Sequence, residues 1–300
     1  MGDLVLDTVL APERGLETGT DVPGRVVLRQ GGSAANTARW LARLGARTSL
    51  VAAVGRDPIG RALVAAIRED GVTPRVVRVA GRPSGRIGVV VGAGGERSFV
   101  ADRGAADELR PEDLRDDWFA AADIVHLPAY SLLGEPLGLA GQRAVDLGRA
   151  AGAIVSLDLA SIAPLLARGR RAARALVTRV GADVLFATAA ETEALLGRYA
   201  VDDLLEYAPI AVVKRGAQGA TVLARQADGE RLRFEVATKA VATTDSTGAG
   251  DAFDAGFLVA WQAAQLNALP LPAGLHRAAL AGHRVAARHL SGPRPELQLG

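Results

Sequence analysis

Apolar residues recur along the chain in two alternating patterns. Residues 33–44, with Ser33 as the expected N-cap, and residues 58–69 place apolar side chains at helical spacing, and a glycine follows each stretch. Short apolar runs rich in β-branched residues lie at 48–54, 76–79, 123–127, 154–157, 184–186 and 210–213. Short buried strands that alternate with helices are typical of a parallel sheet covered on both faces. The pattern therefore predicts an α/β fold with a parallel central sheet flanked by helices.

Two segments break this alternation. Residues 9–30 have little helical pattern and contain several prolines and glycines. Residues 84–101 are typical of two strands joined by a Gly-Ala-Gly-Gly turn at 92–95, which favours a hairpin. No internal repeat or linker divides the chain. We therefore expect a single domain over residues 1–300, into which the two segments insert a small β lid.

Composition narrows the classes of function. The chain has 300 residues, 49% of them hydrophobic, which is enough for a large core. The formal charge is +2, and the densest basic segment, 168–174, has the spacing of a solvated helix face, so we expect no nucleic-acid partner. The absence of cysteine excludes disulfides and thiolate chemistry. No apolar run approaches the roughly 18 residues of a membrane span, and no signal peptide is present, so we expect a cytoplasmic protein without a membrane partner.

The strongest chemical signal is the segment Asp-Ser-Thr-Gly-Ala-Gly-Asp at residues 245–251, which precedes an apolar helical run. Glycines at the start of a helix leave backbone N–H groups unshielded, and these groups bind anions together with the helix dipole. Asp251 follows Gly250 directly, where it can accept a proton from an attacking hydroxyl group while the amides hold a phosphoryl group. Spacing alone leaves an alternative open, in which the glycines form an ordinary turn and Asp251 is a first-turn helix acid.

This segment closely resembles the second signature of the PfkB carbohydrate kinases, the ribokinase family, with Ser246 in place of the usual threonine. The resemblance implies a ribokinase-like three-layer sandwich that phosphorylates a small sugar with ATP and Mg²⁺. It implies that Asp251 is the catalytic base, and that Asp245 and Ser246 lie near a loop that binds a monovalent cation such as K⁺. It places three residues in the anion hole, which are Gly248, Ala249 and Gly250.

Residues 31–45 resemble the first signature of the same family, in which paired glycines and an asparagine contact substrate hydroxyls. The matching residues are Gly31, Gly32 and Asn36. Asp7 matches an aspartate that binds two sugar hydroxyls, a task that suits a carboxylate because it accepts paired donors. Taken alone, the two glycines favour the simpler interpretation of a turn before a helix. The family has an apolar strand before the position of Gly2, where this chain has only Met1. Either the true start lies upstream or the sheet has lost part of a central strand, and we favour a start assigned too late or a truncated chain.

The nucleotide side of the family's site has partial matches. The segment Lys-Arg-Gly-Ala-Gln-Gly at 214–219 resembles the family's K-x-G-x-x-G turn, which implies that Lys214, Gly216 and Gly219 bind the nucleotide. No P-loop sequence occurs. Glu191 matches a glutamate that orients magnesium through water. Thr188 stands where the family has an asparagine near the nucleotide, and its hydroxyl offers one donor where an amide offers two.

Three functions fit these residues. The first is an ATP-dependent kinase that phosphorylates a hydroxyl group, expected to be primary, of a small sugar. The second is a nucleoside kinase of the same family, which the aromatic content of 4% disfavours. The third is a catalytically silent sugar- or nucleotide-sensing protein, and the intact Asp251 motif argues against it. A lid of a few strands is only marginally stable alone, so we expect a homodimer formed through the lids.

Several other polar residues have less defined roles. Arg97 and Arg103 lie in or just after the expected lid, where the sequence fits either a contact to a substrate carboxylate or phosphate, or a surface position. Asp158 ends a predicted strand, so we expect it to support the ligand crevice. His126 also lies at a strand end. A position away from the substrate pocket is favoured for it over a place at the border of that pocket. Packing positions are expected for the C-terminal histidines, which are His276, His283 and His289.

Overall fold

The computed structural model describes residues 1–92, 96–198, 200–243 and 245–299. Within them the strands are β1 (Val5–Pro12), β2 (Gly24–Gly31), β3 (Ser49–Gly55), β4 (Thr73–Val79), β5 (Arg86–Val91), β6 (Arg97–Asp102), β7 (Ile124–Pro128), β8 (Ile154–Asp158), β9 (Val184–Thr188), β10 (Ile210–Lys214), β11 (Ala220–Arg225) and β12 (Arg231–Val236). The α-helices are α1 (Ser33–Arg43), α2 (Pro58–Glu69), α3 (Leu137–Ala150), α4 (Ile162–Leu166), α5 (Arg170–Val180), α6 (Ala189–Leu196), α7 (Ala249–Leu266) and α8 (Leu271–Ser291).

Local sequence explains where the first two helices begin. The Asp57 carboxylate accepts a hydrogen bond from the Gly60 N–H at 2.7 Å and so caps α2, and Pro58 suits the first helical position because its φ is already fixed. The sequence predicted Ser33 as the N-cap of α1, but the N-cap is Gly32. The prediction was wrong because the Ser33 side chain is used elsewhere, in a hydrogen bond described below.

The main sheet has six strands in the order β12-β11-β10-β9-β8-β7. Strands β7 to β10 are parallel, whereas β11 and β12 run antiparallel to their neighbours. Only residues 215–219 connect β10 to β11, which is too short for a crossover and enforces a hairpin. The predicted α/β fold is confirmed, with a mixed sheet in place of a wholly parallel one.

Helices cover both faces of the main sheet. Side chains of β9 alternate: Leu185 and Ala187 belong to the core shared with α3 and α5, whereas Val184 and Phe186 belong to the core shared with α7 and α8. The Phe186 and Phe257 rings meet edge to face with centroids 5.2 Å apart. These are the three layers of the predicted sandwich. Because parallel strands end at one edge of a sheet, the arrangement also brings the last residues of β8, β9 and β10 to the same side.

Strands β3 and β4 form a separate parallel pair. The first residues of the chain lie between this pair and β7, since the Gly2 N–H donates to Val51 O at 3.0 Å and the Met1 amine donates to His126 O at 2.7 Å. Burial lowers the pKa of that amine to about 5, although Asp3 opposes the shift. Residues 1–2 therefore join the two sheets.

A further four-stranded sheet has the order β2-β1-β5-β6 and comprises residues from 5–31 and 86–102. It consists of two antiparallel hairpins whose central strands, β1 and β5, are parallel. The sequence predicted an antiparallel flap beginning near residue 9. The difference arises because Val5 and Leu6 already pair with β2 while they are buried against the body. Residues 93–95 of the glycine turn predicted for the second hairpin lie outside the described residues. We call this four-stranded sheet the lid sheet.

After α8 the chain runs back along the lid sheet. The Leu297 N–H donates to Leu28 O at 2.8 Å, and Glu296 lies 3.8 Å from Arg25. Arg294 binds the backbone carbonyl and carboxylate of Asp245. Residues 292–299 thus join strand β2 to the segment that precedes α7. No helix in the described part of the chain is long and apolar enough to cross a bilayer.

Candidate active site

Asp251 lies in the first turn of α7, and two side chains from α1 hold its carboxylate. Ser33 Oγ donates to Oδ1 at 2.7 Å, and Asn36 Nδ2 donates to Oδ2 at 2.9 Å. Burial raises the pKa of Asp251 to about 7, although these two hydrogen bonds favour the ionised form. A carboxylate with a pKa near the operating pH suits general-base chemistry. The arrangement also explains Ser33, whose hydroxyl is bonded to Asp251 and so does not cap its helix.

The glycines before α7 allow close packing around its N-terminus. Gly248 is left-handed at φ +80°, and a Cβ there would lie 3.2 Å from the His289 ring. A Cβ on Gly250 would lie 3.3 Å from Lys214 Nζ. The Ala249 N–H donates to Ser246 O at 3.1 Å, so this predicted anion-hole amide is used within the turn. The first N–H groups of a helix have no carbonyl partner inside it, which makes the start of α7 the part of the predicted anion hole best placed to hold a phosphoryl group.

The predicted sugar-binding residues converge at the junction of the lid sheet and α1. Gly31 packs so closely on Asp7 that a Cβ would collide with the Asp7 carboxylate, and Gly32 has φ +103°, which favours glycine. Burial raises the pKa of Asp7 to about 7, and the nearby carboxylates add to this effect while Arg29 opposes it. The structure therefore brings Asp7, Gly31 and Gly32 together beside the Asn36–Asp251 pair.

A cavity of about 920 Å³ opens between the lid sheet, α1 and the end of α8. Asp7 and Asn36 line it, together with Thr247 of the segment before α7. Its volume falls within the usual range for small-molecule sites, about 300–1,000 Å³. Because Asn36 both lines the cavity and holds Asp251, a hydroxyl group bound in the cavity lies next to the candidate base.

His289 holds the segment before α7 in place, a role that the sequence did not reveal. Its Nε2 lies 2.6 Å from Thr247 O, and Trp40 Nε1 donates to its Nδ1 at 3.1 Å. The indole N–H can only donate, so the imidazole proton belongs on Nε2. Burial lowers the pKa of His289, which keeps the ring neutral. The sequence predicted a packing position for His289. The residue in fact connects α1 and α8 to the candidate anion hole, and the spacing of the histidines does not indicate this role.

Lys214, predicted to bind the nucleotide, turns inward. Its Nζ lies 2.9 Å from Asp158 Oδ2 and 3.1 Å from Asp254 Oδ1, and its side chain is only 11% exposed. Burial opposes the charge of Lys214, but the two carboxylates raise its pKa above the usual range. The ammonium group lies beneath Gly250, so it supports the start of α7 from within. Asp158 therefore pairs with Lys214, while its expected role at the ligand crevice stays a prediction. Asp254 was missed because nothing marks an acid in an otherwise apolar helix as a partner of Lys214.

The turn that follows β10 is shaped by two glycines. Gly216 has φ +57° and Gly219 has φ +88°, and a Cβ on Gly219 would collide with Val236 O. The Arg215 N–H donates to Gly219 O at 2.8 Å and closes the turn. The two glycines are therefore required by the backbone of this turn, which lies at the carboxyl edge of the main sheet.

Thr188 and Glu191 cap helix α6 together. The Thr188 N–H donates to Glu191 Oε2 at 2.7 Å, and the Glu191 N–H donates to Thr188 Oγ1 at 3.2 Å. Burial and the charge of Asp158 raise the pKa of Glu191. The Thr188 hydroxyl is thus used locally, whereas Glu191 keeps Oε1 for a second contact. The described residues contain no group of three or more His, Asp or Glu side chains that could hold a metal ion.

Asp245, predicted near a cation loop, is instead surrounded by arginines. Arg29 Nη1 lies 2.8 Å from Oδ2 and Arg97 Nη2 lies 2.7 Å from Oδ1, while Arg294 binds Oδ2 as well. Burial opposes ionisation, yet hydrogen bonds from Thr247 and Arg294 hold the pKa of Asp245 below its usual range. Three guanidinium groups do not fit the predicted cation role of this carboxylate. Ser246 contributes its carbonyl to the turn described above.

Arg103 and His126 lie apart from the cavity. Arg103 pairs with Asp107 at 2.7 Å and with Asp3 at 3.4 Å, and its guanidinium covers the Tyr130 ring. His126 is buried, with Nδ1 2.9 Å from Ser156 Oγ, and burial lowers its pKa to about 3. Of the two arginines that the sequence singled out, only Arg97 reaches the cavity.

A carboxylate at the open N-terminus of a helix, beside a cavity lined by a second carboxylate and an asparagine, fits a phosphotransferase with an alcohol acceptor. Comparison with known proteins identifies its family. The chain belongs to the pfkB family of carbohydrate kinases, whose model matches residues 1–293. It is an ATP-dependent carbohydrate kinase, as the resemblance of its two signatures implied.

Individual relatives include kinases of sugars and of nucleosides. Fructokinase-1 of Oryza sativa subsp. japonica is 32% identical over 234 residues, which cover 74% of this chain and 71% of that protein. The solved structure of adenosine kinase from Sinorhizobium meliloti has a TM-score of 0.81 at 26% identity, and the match covers 99% of this chain and 95% of that one. Fructokinase from Vibrio cholerae O395, solved with fructose, ADP and calcium ion, has a TM-score of 0.77 at 24% identity over 98% of this chain and 92% of that one. The predicted ribokinase-like fold is confirmed.

Proposed function

We propose that the chain transfers the γ-phosphoryl group of ATP to a hydroxyl group, expected to be primary, of a small sugar. The observation that carries this proposal is the position of Asp251, held by Ser33 and Asn36 at the start of α7, with Asn36 also lining the cavity. A base in this position lies between a bound acceptor and the helix amides that attract phosphate. The similarity to a plant fructokinase supports a sugar acceptor.

In the proposed reaction Asp7 accepts hydrogen bonds from two acceptor hydroxyls and so fixes the sugar. Asp251 takes the proton of the attacking hydroxyl as the new O–P bond forms and the bond to ADP breaks. The amides at the start of α7 hold the negative charge of the transferred group. The lid sheet covers the cavity and keeps water from competing with the sugar.

The residues of the nucleotide side fit ATP and a divalent ion. We assign ATP to the glycine turn at 216–219 and to the start of α7, whose first N–H groups have no carbonyl partner inside the helix. When bound, Mg²⁺ neutralises phosphate charge during transfer. Glu191 would orient it through water with Oε1, since Oε2 caps α6. The ADP and calcium ion bound to the Vibrio cholerae fructokinase support a nucleotide–metal pair.

The test is an ADP-release assay with neutral sugars, sugar acids, sugar phosphates and nucleosides as acceptors. Asp251→Asn should lower turnover by about 10²–10⁴-fold, the usual effect of removing a positioned base, with the Kd for ATP nearly unchanged. Asp228→Asn, in an exposed turn, is the matched control and should keep full turnover. Turnover of Asp251→Asn within threefold of the unchanged protein would remove Asp251 from the mechanism.

A nucleoside acceptor is the second candidate. It is supported by the similarity to the Sinorhizobium meliloti adenosine kinase and by Trp40, an aromatic side chain in the cavity wall. The indole of Trp40, however, already meets the His289 ring edge-on with centroids 5.8 Å apart. Adenosine belongs in the same assay, and a kcat/KM for adenosine above that of every sugar would favour this candidate.

We further propose that the chain is a single domain that forms a homodimer through the lid sheet. Three large apolar side chains of that sheet are well exposed: Val26 at 67%, Phe99 at 58% and Val100 at 71%. Val26 and Val100 lie on the sheet face opposite to Phe99 and the cavity residue Val89, and a partner lid that covers that face removes apolar surface from water. Light scattering should give the mass of two chains, and Val100→Lys should shift that mass toward one chain. The off-lid comparison is Val76→Lys, at a half-buried position in β4.

The cytoplasmic location stays a prediction, which cell fractionation would test.

A further inference from the structure

Arginine dominates the charged lining of the cavity. Its wall includes two aspartates, Asp7 and Asp245, and six arginines, which are Arg29, Arg39, Arg43, Arg97, Arg288 and Arg294. Arg39 and Arg43 share the single carboxylate of Asp70, at 2.5 and 2.6 Å. A neutral sugar needs no such wall, because its hydroxyl groups are satisfied by carboxylates, amides and backbone groups.

The largest excess of positive charge lies around Asp245. Arg29 from β2, Arg97 from β6 and Arg294 from the segment after α8 all bind this one carboxylate. The one carboxylate carries a single negative charge, which the three guanidinium groups around it outnumber. The arginine side chains are only 26%, 11% and 18% exposed, so water compensates their charge poorly.

Unused polar atoms mark the same wall. Arg29 Nε is buried and has no hydrogen-bond partner within the described part of the chain, and the same holds for both polar atoms of the Gln30 amide. Gln30 lines the cavity and its side chain is 9% exposed. Buried polar atoms normally have partners, so Arg29 and Gln30 keep hydrogen-bonding capacity that the described part of the fold does not use.

Asp7 does not offset the arginines fully. Burial raises its pKa to about 7, so it carries only part of a charge at neutral pH. The other carboxylate next to the cavity, Asp251, is similarly shifted. Both lie at the reacting end, beside Asn36, whereas Arg97 and Arg294 lie around Asp245. Arg29, which pairs in register with Asp7 and also binds Asp245, places the arginine cluster next to the hydroxyl-binding residues.

We propose that the acceptor of this kinase is an anionic sugar, which carries a carboxylate or phosphate group away from the hydroxyl that reacts. The inference rests on the proposed function and adds the class of acceptor. The reacting hydroxyl lies at Asp251 and Asp7, and the anion lies against Arg97 and Arg29. Guanidinium groups bind carboxylates and phosphates through paired, charge-assisted hydrogen bonds.

The first experiment compares matched acceptors with the unchanged enzyme. ADP release is measured with fructose and fructose 6-phosphate, and with glucose, glucose 6-phosphate and gluconate. A charge-assisted hydrogen bond contributes about 10–100-fold in affinity, so we expect kcat/KM of at least one anionic acceptor to exceed that of its neutral partner by about 100-fold. Preference for gluconate identifies a carboxylate, and preference for a sugar phosphate identifies a phosphate. A neutral sugar used as well as every anionic one overturns the inference, whereas no ADP release with any acceptor overturns the proposed function.

The second experiment removes one arginine. Arg97→Gln leaves Asp245 with two arginines, so no buried carboxylate is stranded. The ratio of kcat/KM for the anionic acceptor to that for its neutral partner should fall by about 10–100-fold. Arg86→Gln is the matched control, because Arg86 lies on the same sheet in an exposed pair with Asp102 and outside the cavity. The control should keep the ratio, and an unchanged ratio in Arg97→Gln contradicts the inference.

A third measurement does not depend on any variant. Raising NaCl from 50 to 300 mM screens charge attraction between the acceptor and the cavity. We expect kcat/KM for the anionic acceptor to fall severalfold while that for the neutral partner changes much less. Equal salt dependence of the two acceptors would count against the inference even if Arg97→Gln did not fold.

Discussion

Replacing Asp254 by asparagine should leave the fold intact. The stability of this variant relative to the unchanged protein should increase as the pH rises. Lys214 lies between Asp158 and Asp254, and the Asp254 side chain is fully buried. Burial and the charge of Asp158 raise the pKa of Asp254 well above the ordinary carboxyl value, while Lys214 holds that of Asp158 below it against the effect of burial. One cation faces two carboxylates, and the raised pKa of Asp254 favours its protonated form, which can donate to Asp158.

The size of the effect follows from proton linkage. An ordinary Asp in the unfolded chain loses its proton near pH 4, whereas the folded protein keeps the proton of Asp254. The unfolded state therefore binds fewer protons, and the free energy of unfolding falls by about 1.4 kcal/mol for each pH unit through this window. Asparagine has no proton to lose, and its amide can donate to Asp158 and accept from Lys214. At pH 5 the free energies of unfolding of the two proteins should differ by less than about 1 kcal/mol. Between pH 5 and pH 6 the difference should shift by about 1.4 kcal/mol in favour of the variant.

Urea denaturation at pH 5 and pH 6 measures this difference, provided that the m values agree. Lys214→Met is the contrasting variant, because it leaves a buried carboxylate without its cation and should lose about 3–5 kcal/mol at both pH values. A loss of that size in Asp254→Asn, or a stability difference that does not change with pH, would refute the assigned protonation state.

Three further predictions concern catalysis. The kcat should rise with pH along an acid limb with an apparent pKa near 7, because Asp251 accepts a proton only when ionised; a flat profile from pH 5.5 to 8 would exclude it as the base. Glu191→Gln should raise the Mg²⁺ concentration for half-maximal rate severalfold, and an unchanged dependence would count against its assigned role. Replacement of residues 87–98 by a short glycine linker should weaken sugar binding and raise ATP hydrolysis relative to transfer; normal affinity with tight coupling would show that the lid sheet is not a lid.

Elements with strong local signals could be predicted from the sequence almost residue for residue. Helix α2 spans Pro58–Glu69, as predicted, because a capping aspartate, a proline at the first position and Gly71 beyond the end all define it locally. Strand β1 begins at Val5 rather than near residue 9, because its start is set by burial against the body. The antiparallel direction of β11 follows from a short connection, whose length was visible in the sequence but was not used.

The residues of the candidate site also differ in how far local sequence could predict them. Asp251 and the glycines before it belong to one contiguous motif, so their proximity could be predicted. The contact of Arg29 with Asp245 joins residues that are 216 positions apart, and no local pattern marks such a pair. The inward direction of Lys214 depends on Asp254, forty positions away. Side chains whose role depends on a distant partner could be named from the sequence, but their orientation could not.

The contact between Trp40 and His289 provides a built-in optical signal. The indole lines the cavity and donates to a histidine whose other nitrogen lies next to the Thr247 carbonyl, so its surroundings respond to both the cavity and the segment before α7. Of the three tryptophans, Trp261 is enclosed in the core and Trp118 packs against the core on the α3 side of the main sheet. A change of fluorescence on adding an acceptor without nucleotide would therefore report Trp40, and stopped-flow mixing can follow acceptor binding before any phosphoryl group moves.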